Sequence, residues 1–284
     1  MRAAIAVLIA VCLAPLPAAA ARPRWQTLPM PPPMPAADTH GMVAVDGAEI
    51  YYAIYGKGAP VILLHGGLGN SDHFSNQVPA LAEKFEVIAI DSRGQGRSTR
   101  TSAPVTYEVM ANDVLAVMDK LGVARASIVG WSDGGEIALK IAIAHPERVD
   151  KLFVFGTNYD ANGSKPRGNG STATFSAYAA RSRADYLKLS PTPTARAFDE
   201  LVDWLLPVWR NPMGFTKDQL RAIQAPTLVG DGDHDEVIVL AQVEEMSKLI
   251  PHGQLAVVKD ASHFAMWQAP AEFNAVLLGF LTGS

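Results

Sequence analysis

One serine in the sequence lies in a setting that can make a hydroxyl group nucleophilic. Ser132 is the centre of Gly130-Trp131-Ser132-Asp133-Gly134, a G-x-S-x-G pattern that follows an apolar run and precedes a helical one. A tight strand-to-helix turn holds such a serine in a strained conformation with its hydroxyl exposed. Side chains at the two flanking glycines would collide with neighbouring backbone. The pattern therefore predicts Ser132 as a catalytic nucleophile.

The general base is expected downstream of this serine. A serine hydroxyl is a weak nucleophile at neutral pH, and with this turn the triad runs serine, acid, histidine along the chain. His263 follows the last predicted strand, where a loop can return its imidazole to the carboxyl edge of the sheet. His145 ends a predicted helix, and His252 follows a proline in a turn. We therefore predict His263 as the base.

Three aspartates that follow one predicted strand are candidates for the acid. Of Asp231, Asp233 and Asp235, the last is furthest from the strand, where a loop has room to reach the imidazole. The chosen carboxylate must accept a hydrogen bond from the imidazole N–H and stabilise the imidazolium. We predict Asp235 in this role, with Asp233 as the second candidate. Asp160, which follows the preceding strand, is a displaced alternative.

An oxyanion that develops on the substrate needs two aimed N–H donors. One is predicted at the backbone of Asp133, because the start of a helix also presents a favourable dipole. The other is predicted at Gly67, in a glycine-rich loop after an apolar run, with Leu68 as the alternative. His65 begins the same loop but precedes the nucleophile, so a hydrogen bond within its own loop is the favoured interpretation.

Alternating strand and helix patterns must position these residues. Near-continuous Val, Ile and Leu in the strands indicate a mainly parallel sheet with helices on both faces, which is an α/β fold. Asp46-Gly47 predicts a hairpin that adds antiparallel strands at one edge. The eight predicted strands cover residues 42–45, 48–55, 61–64, 86–90, 126–130, 151–155, 226–229 and 254–258. The predicted helices cover residues 71–84, 107–121, 136–144, 238–249 and 271–281.

The alternation of strand and helix patterns is interrupted at residues 159–223. This segment has no strand pattern, and its composition is helical after a Gly/Ser/Asn-rich stretch. So long a segment is not a simple connecting loop, and we predict an inserted helical cap there. Apolar cap residues can line a substrate pocket or form the core of the cap itself. These residues are Trp204, Leu205, Leu206, Trp209, Met213 and Phe215.

The N-terminus has the layout of a targeting segment. Residues 1–20 combine an early arginine, an apolar run and a small-residue cleavage pattern, which predict a secretory signal peptide; an uncleaved membrane anchor is the alternative. Residues 21–38 are proline-rich and predict an extended linker to a domain over residues 39–284. The protein is therefore expected to be exported, periplasmic or secreted. Its only cysteine, Cys12, lies inside the leader.

Composition excludes several kinds of partner. With 24 Lys and Arg against 28 Asp and Glu, the net charge of −4 offers no basic excess for nucleic acid or anionic lipid. We expect no stable membrane association once the leader is removed. His234 and its neighbouring aspartates cannot easily converge on one ion, so no metal is expected, and no nucleotide-binding loop or cofactor is indicated. The oligomeric state stays open.

Together these motifs resemble the α/β-hydrolase superfamily. The likeness covers residues 41–281, less so in the cap, and rests on residues 65–67, 91–98, 130–135, 231–237 and 262–264. It favours Asp235 over Asp233 as the acid and implies a structural turn at residues 91–98. A serine at position 132 argues against the dehalogenases and epoxide hydrolases, whose nucleophile is aspartate. The turn around this serine is similar to that of valacyclovir hydrolase-like esterases, a short likeness that does not carry their amino-ester specificity.

The expected activity is hydrolysis of a small-molecule carboxylic ester, of small to medium apolar character, through an acyl-enzyme. The same triad also serves amide, lactone and carbon–carbon bond hydrolases and cofactor-free perhydrolases or haloperoxidases. A catalytically silent binding protein on this fold is a further alternative, which the intact set of Ser132, His263 and Asp235 disfavours.

Overall fold

The structure, a computed structural model, describes residues 22–166, 172–210 and 214–283. The predicted signal peptide lies outside these residues. No helix within the described ranges is both long enough and apolar enough to cross a bilayer.

Eight strands form a single sheet in the order β1-β2-β4-β3-β5-β6-β7-β8. The pairs β1–β2 and β2–β4 are antiparallel, and all the others are parallel. The predicted eight-stranded, mainly parallel sheet with an antiparallel edge is thus confirmed. The strands are β1 Thr39–Val45, β2 Ala48–Tyr55, β3 Ala59–Leu64, β4 Phe85–Ile90, β5 Ala126–Trp131, β6 Val149–Phe155, β7 Thr227–Gly232 and β8 Gly253–Val258.

Helices cover both faces of this sheet. Within the described residues the α-helices are α1 Val78–Ala82, α2 Tyr107–Leu121, α3 Asp133–Ala144, α4 Ala173–Leu189, α5 Ala195–Arg210, α6 Lys217–Arg221, α7 Leu240–Leu249, α8 Ala265–Gln268 and α9 Pro270–Thr282. Short 3-10 turns cover Arg24–Gln26, Ser71–Phe74, Pro146–Arg148 and Ala161–Gly163.

The helix predicted over residues 71–84 is divided in two. A 3-10 turn occupies Ser71–Phe74, and α1 starts separately at Val78, with Pro79 in its first turn. Proline lacks the N–H that an uninterrupted helix would need, but the first turn of a helix tolerates it. A new helix therefore begins beside the proline.

The alternation of side chains along a strand explains two separate cores. In β3, Ile62 and Leu64 pack into the core on one face, whereas Val61 and Leu63 pack into the core on the other. All four are fully buried, and each such side chain contributes about 1.5–3 kcal/mol to folding. The central strands, and with them the residues at their carboxyl ends, are therefore held rigidly.

Three helices, α4 to α6, lie between β6 and β7. In the middle one, α5, a stripe with helical spacing is buried, formed by Phe198, Leu201, Leu205 and Val208. A helix with one apolar stripe packs that side against the protein.

The proline-rich N-terminal stretch lies against the domain, where the sequence predicted an extended linker. Leu28, Met34 and Ala37 pack against the same core to which α9 contributes. The prolines exclude helix and central strand, yet they do not prevent packing of the apolar residues between them.

Candidate active site

Ser132 lies in the turn between β5 and α3, at φ 55° and ψ −122°. Such a backbone conformation costs about 1–3 kcal/mol and persists only where its surroundings enforce it. Here the amide of Ser132 donates to the carbonyl of Phe155 (2.9 Å). A Cβ on Gly134 would overlap the carbonyl oxygen of Leu64. Only glycine at this position therefore permits the turn that presents the serine.

His263 and Asp235 form a buried hydrogen-bonded pair. The distance from His263 Nδ1 to Asp235 Oδ2 is 2.7 Å, and both side chains are almost fully buried. The other oxygen, Asp235 Oδ1, accepts from the amides of Val237 (2.5 Å) and Ile238 (2.7 Å). The ionised carboxylate is thus held from two sides, and it fixes the proton on Nδ1 so that Nε2 is free to act as a base.

Electrostatics favour an ionised acid beside a basic imidazole. Burial lowers the pKa of His263, but the negative charges of Asp235, Glu236 and Asp133 raise it. The net result is a pKa above the ordinary value of histidine. Burial raises the pKa of Asp235, yet His263 and several hydrogen bonds bring it below its ordinary value. The pair therefore stabilises the imidazolium that forms when His263 accepts a proton.

Ser132 and His263 line one cavity of about 260 Å³. Its wall is mostly apolar and is built from the sheet edge and from the helices between β6 and β7. The lining residues are Gly66, Gly67, Leu68, Tyr107, Trp131, Ser132, Asp133, Glu136, Asn158, Ser164, Phe175, Tyr178, Ala179, Val202, Leu206, Trp209, Val237, Ile238 and His263. Ser132 and His263 therefore face the same space.

The loop at residues 65–69 lies beside the nucleophile. A Cβ on Gly66 would be 3.1 Å from the Cβ of Ser132. Tyr178, from α4, donates its hydroxyl to the carbonyl of Gly67 (2.6 Å). Because a peptide is planar, this hydrogen bond also fixes the direction of the next amide, that of Leu68. The loop thus presents Gly67 and Leu68 to the cavity in one set orientation.

The carboxylate of Asp133 is held by two aromatic donors. Tyr107 donates its hydroxyl to Oδ1 (3.1 Å), and Trp209 donates its indole N–H to Oδ2 (2.9 Å). Glu136 lies nearby in the wall of the cavity, where burial and the charge of Asp133 raise its pKa well above the ordinary range. Both causes disfavour the ionised form of its side chain. These contacts anchor the start of α3, where the predicted amide donor lies.

The structure places the alternative candidates away from the pair. Asp233 bonds to His234 (2.8 Å) and to the amide of Ala261 (3.3 Å), and Asp160 caps the short turn that follows it. His65 bonds to the carbonyl of Gly66 (2.8 Å) and to the amide of Ser92 (3.0 Å). Burial lowers the pKa of His65 to about 4, so it stays neutral.

Two further acidic residues lie near the pair: Asp231, which the sequence offered as a candidate acid, and Glu236, to which reasoning from the sequence gave no role. Asp231, at the end of β7, is fully buried, and burial together with the charge of Asp235 raises its pKa well above the ordinary range. Its Oδ1 accepts from the amide of Gly232 (2.8 Å), and its buried Oδ2 has no hydrogen-bond partner among the described residues. Glu236 accepts from the amide of His263 (3.1 Å). The run of acids in residues 231–236 was visible in the sequence, but their separate partners lie on other elements.

The apolar residues of the cap divide between two roles. Leu206 and Trp209 line the cavity, whereas Leu205 and Phe215 are buried in the core. Trp204 donates its indole N–H to the carbonyl of Ala103 (2.8 Å). Met213 lies outside the described residues. Among the residues that the structure describes, no cluster of three or more His, Cys, Asp or Glu could hold a metal ion.

The chain is similar to several known proteins over most of its length. The model of a family described as alpha/beta hydrolase fold matches residues 59–169. A relative from Caulobacter sp. (strain K31), "Putative carbamate hydrolase RutD", is 30% identical over 84% of this chain and 97% of its own. A relative from Synechocystis sp., "Putative non-heme chloroperoxidase", is 28% identical over 82% of this chain and 95% of its own.

A solved structure is similar to this chain in both fold and sequence. It is described as "Est816 as an N-Acyl homoserine lactone degrading enzyme", with a TM-score of 0.64 and 31% identity. The likeness covers 84% of this chain and the whole of that one.

Proposed function

The chain belongs to the α/β-hydrolase family, and on that premise we propose that it is a serine hydrolase that cleaves carboxylic esters of small to medium apolar substrates. The family and the similar proteins support hydrolase activity in general. One observation carries the finer proposal: the strained Ser132 and the imidazole of His263 line one cavity, while Asp235 holds the far side of that imidazole (2.7 Å).

The chemistry proceeds by two acyl transfers. Ser132 Oγ attacks the ester carbonyl carbon as His263 Nε2 takes its proton, and the amides of Gly67 and Asp133 donate to the oxyanion. The carbon–oxygen bond to the alcohol then breaks, and His263 gives its proton to the departing alkoxide. Water, deprotonated by the same imidazole, attacks the acyl-enzyme and releases the carboxylic acid.

The size and polarity of the cavity support small substrates. Its volume of about 260 Å³ lies just below the range of about 300–1,000 Å³ that ligand pockets usually occupy. Leu206, Trp209 and Phe175 give its wall an apolar character. Short acyl chains therefore fit better than long ones, and we expect activity to fall as the acyl chain lengthens.

Lactone hydrolysis is the second candidate, because a lactone is a cyclic ester and a structure 31% identical to this chain is described as degrading N-acyl homoserine lactones. The same Ser132, His263 and Asp235 would act on it. The alcohol of an opened lactone stays attached to the acyl group, so no separate alcohol leaves the cavity before the acyl-enzyme is hydrolysed.

A substrate panel with covalent mapping tests the proposal. Purified protein is assayed with p-nitrophenyl esters of increasing chain length, acyl-homoserine lactones, aryl amides and carbamates, and vinylogous diketones. A fluorophosphonate adduct is mapped by mass spectrometry. We expect fastest turnover of short esters and an adduct on Ser132. The Ser132→Ala variant should lose both, and Ser127→Ala, on the same strand β5, should retain both. Ester turnover that survives in Ser132→Ala would refute the assignment.

Export is a separate part of the proposal, and it rests on the predicted leader of residues 1–20. The mass of protein recovered from the medium or periplasm of an expressing bacterium tests it. A mature chain that begins near residue 21 is expected, and full-length protein retained inside the cell would contradict it.

A further inference from the structure

A short N-terminal segment, residues 24–28, crosses the two loops that carry the acid and the base. We call it the strap. The histidine loop comprises residues 259–264, and the acid loop comprises residues 233–239. Arg24 in the strap donates to the carbonyl of Asp260 (3.1 Å) and to that of Lys259. The same guanidinium binds the carboxylate of Glu272 on α9 (2.8 Å). One side chain thus ties the histidine loop to a helix of the scaffold.

The strap also contacts the acid loop. The indole of Trp25 stacks on the ring of His234, with the ring centres 4.7 Å apart and an angle of 17° between the planes. His234 lies between Asp233 and Asp235 in the acid loop. The amide of His234 in turn donates to the carbonyl of Ala261 (2.9 Å). Strap, acid loop and histidine loop therefore form one connected set of contacts.

A buried glutamine fastens the strap from the other side. Gln268 donates through Nε2 to the carbonyls of Trp25 (3.2 Å) and Thr27 (2.7 Å). Its Oε1 accepts from the amide of Ser262 (2.7 Å), the residue that precedes His263. Nε2 also donates to the hydroxyl of Ser262 (3.0 Å), and Gln268 is only 6% exposed. One buried side chain thus links the strap directly to the residue that precedes His263.

The histidine loop needs outside support for physical reasons. It follows β8, which is the last strand in the sheet order and pairs with β7 alone. Asp260 has a positive φ of 50°, a conformation that a non-glycine residue keeps only when its surroundings enforce it. The carbonyl of this strained residue is one of those that Arg24 holds. The strap thus contacts the loop at its residue with a left-handed backbone.

We propose that the strap is a positioning element of the active site, which holds the acid and histidine loops in register so that Asp235, His263 and Ser132 align. The strap does not touch the cavity, since no residue from 24 to 28 lines it. It acts through His234, Asp260 and Ser262 on the loops. This proposal rests on the proposed triad, and it assigns to the N-terminal segment a role that a linker between leader and domain would not have.

The test compares two arginines with matched surroundings in the full chain. Arg148 also binds two carbonyls, those of Ala124 (2.9 Å) and Val123 (3.1 Å), and one carboxylate, that of Asp119 (2.8 Å). It lies at the opposite end of the strands, directly before β6. The variants are Arg24→Ala with Trp25→Ala, each of these alone, Trp25→Phe, and Arg148→Ala. The readouts are kcat, KM, the pH profile of kcat and the melting temperature.

Misplacement of a catalytic group by about 1 Å lowers turnover by about a hundredfold, so we expect a loss of about tenfold or more in kcat for the double variant. KM should stay within about twofold, because the cavity is unchanged, and Trp25→Phe should retain most of the activity by keeping the stack. Poor alignment weakens the influence of Asp235 on His263, while burial persists. The acid limb of the profile should therefore move to lower pH in the double variant, a shift that lost stability alone would not cause.

The outcomes separate this proposal from the proposed function. Wild-type protein that neither turns over esters nor carries a phosphonate on Ser132 would contradict the function itself. An active wild type whose double variant keeps the kcat and pH profile of Arg148→Ala would overturn the strap alone. If the double variant does not fold, the single variants decide: unchanged kcat and pH profile in both Arg24→Ala and Trp25→Ala overturn the proposal.

Discussion

Gly156 offers a direct test of how tightly the imidazole is confined. It follows β6 directly and has a positive φ of 59°. A Cβ added there would lie 2.9 Å from His263 Nδ1 and 3.0 Å from His263 Cε1. Ordinary van der Waals contact for such a Cβ begins at 3.4 Å, so the ring would have to retreat by 3.4 − 2.9 = 0.5 Å. We predict that Gly156→Ala displaces the base without touching its chemistry.

The magnitude follows from the displacement and the backbone. A shift of about 1 Å in a reacting group can lower turnover about a hundredfold, so a shift of about half that distance corresponds to a loss of about tenfold in kcat. The ring cannot retreat freely, because it is buried and bonded to Asp235 at 2.7 Å. Alanine with a left-handed backbone adds a penalty of about 1–2 kcal/mol in stability.

Gly122 provides the matched control. It ends α2 with a φ of 70°, and a Cβ added there meets no atom within 4 Å. Gly122→Ala therefore carries the same kind of backbone penalty without a clash near His263. Gly122→Ala should lower the melting temperature through the backbone penalty alone, and Gly156→Ala should lower it by at least as much.

The assay is steady-state turnover of p-nitrophenyl acetate together with the rate of phosphonate labelling of Ser132. Gly156→Ala should lose kcat and label more slowly, because both reactions use the imidazole as base. Gly122→Ala should match wild type in both. If Gly156→Ala kept its kcat within about twofold of Gly122→Ala, the base would have room that this geometry denies, and the reasoning from a 0.5 Å overlap would be refuted.

Four further predictions address other parts of the molecule. Tyr178→Phe, which frees the carbonyl of Gly67, should lower kcat by about threefold to tenfold with little change in KM, measured by steady-state kinetics. Because the pKa of His263 is raised, kcat/KM should fall as pH drops through an apparent pKa above about 6.5. Asp235→Asn removes the charge that raises this pKa but keeps the burial. The variant should be less active, and the acid limb of its pH profile should lie at lower pH than that of the wild type. Arg93→Met leaves a buried carboxylate, that of Asp113, unpaired and should lower the free energy of unfolding by about 3–5 kcal/mol in urea titrations.

Local patterns predicted the parts of the molecule that local physics determines. The strained turn at Ser132 depends on the lack of space for side chains at the two flanking glycines, so this turn could be predicted from neighbouring residues alone. The continuous apolar strands predicted the sheet, because a strand buried on both faces tolerates little else. His263 and Asp235 were chosen from their order along the chain and their place after successive strands, and the structure brings them to 2.7 Å.

The remaining contacts join residues too distant in sequence for any local pattern. Tyr178 reaches the loop of Gly67 across 111 positions, and Gln268 reaches Thr27 across 241. Tyr178 lies in a helix of mixed composition, and nothing in the sequence around it indicates such a partner. The division of the helix over residues 71–84 is different, because Pro79 was visible and its missing N–H already argued for an interruption.

The two segments whose sequences were least informative hold opposite sides of the site. From the cap, Tyr178 binds the carbonyl of Gly67, and Trp209 binds Asp133, so the cap fixes the side where the oxyanion donors are expected. From the N-terminus, Arg24 restrains the loop of His263, so the strap fixes the side of the base. The sheet fixes the carboxyl ends of its strands, but the loops that follow them can still move. Proton transfer and oxyanion binding need the reacting groups to be aligned to well below about 1 Å. Restraints from outside the sheet are therefore required on each side of the nucleophile, and these two segments supply them without lending a reacting group of their own.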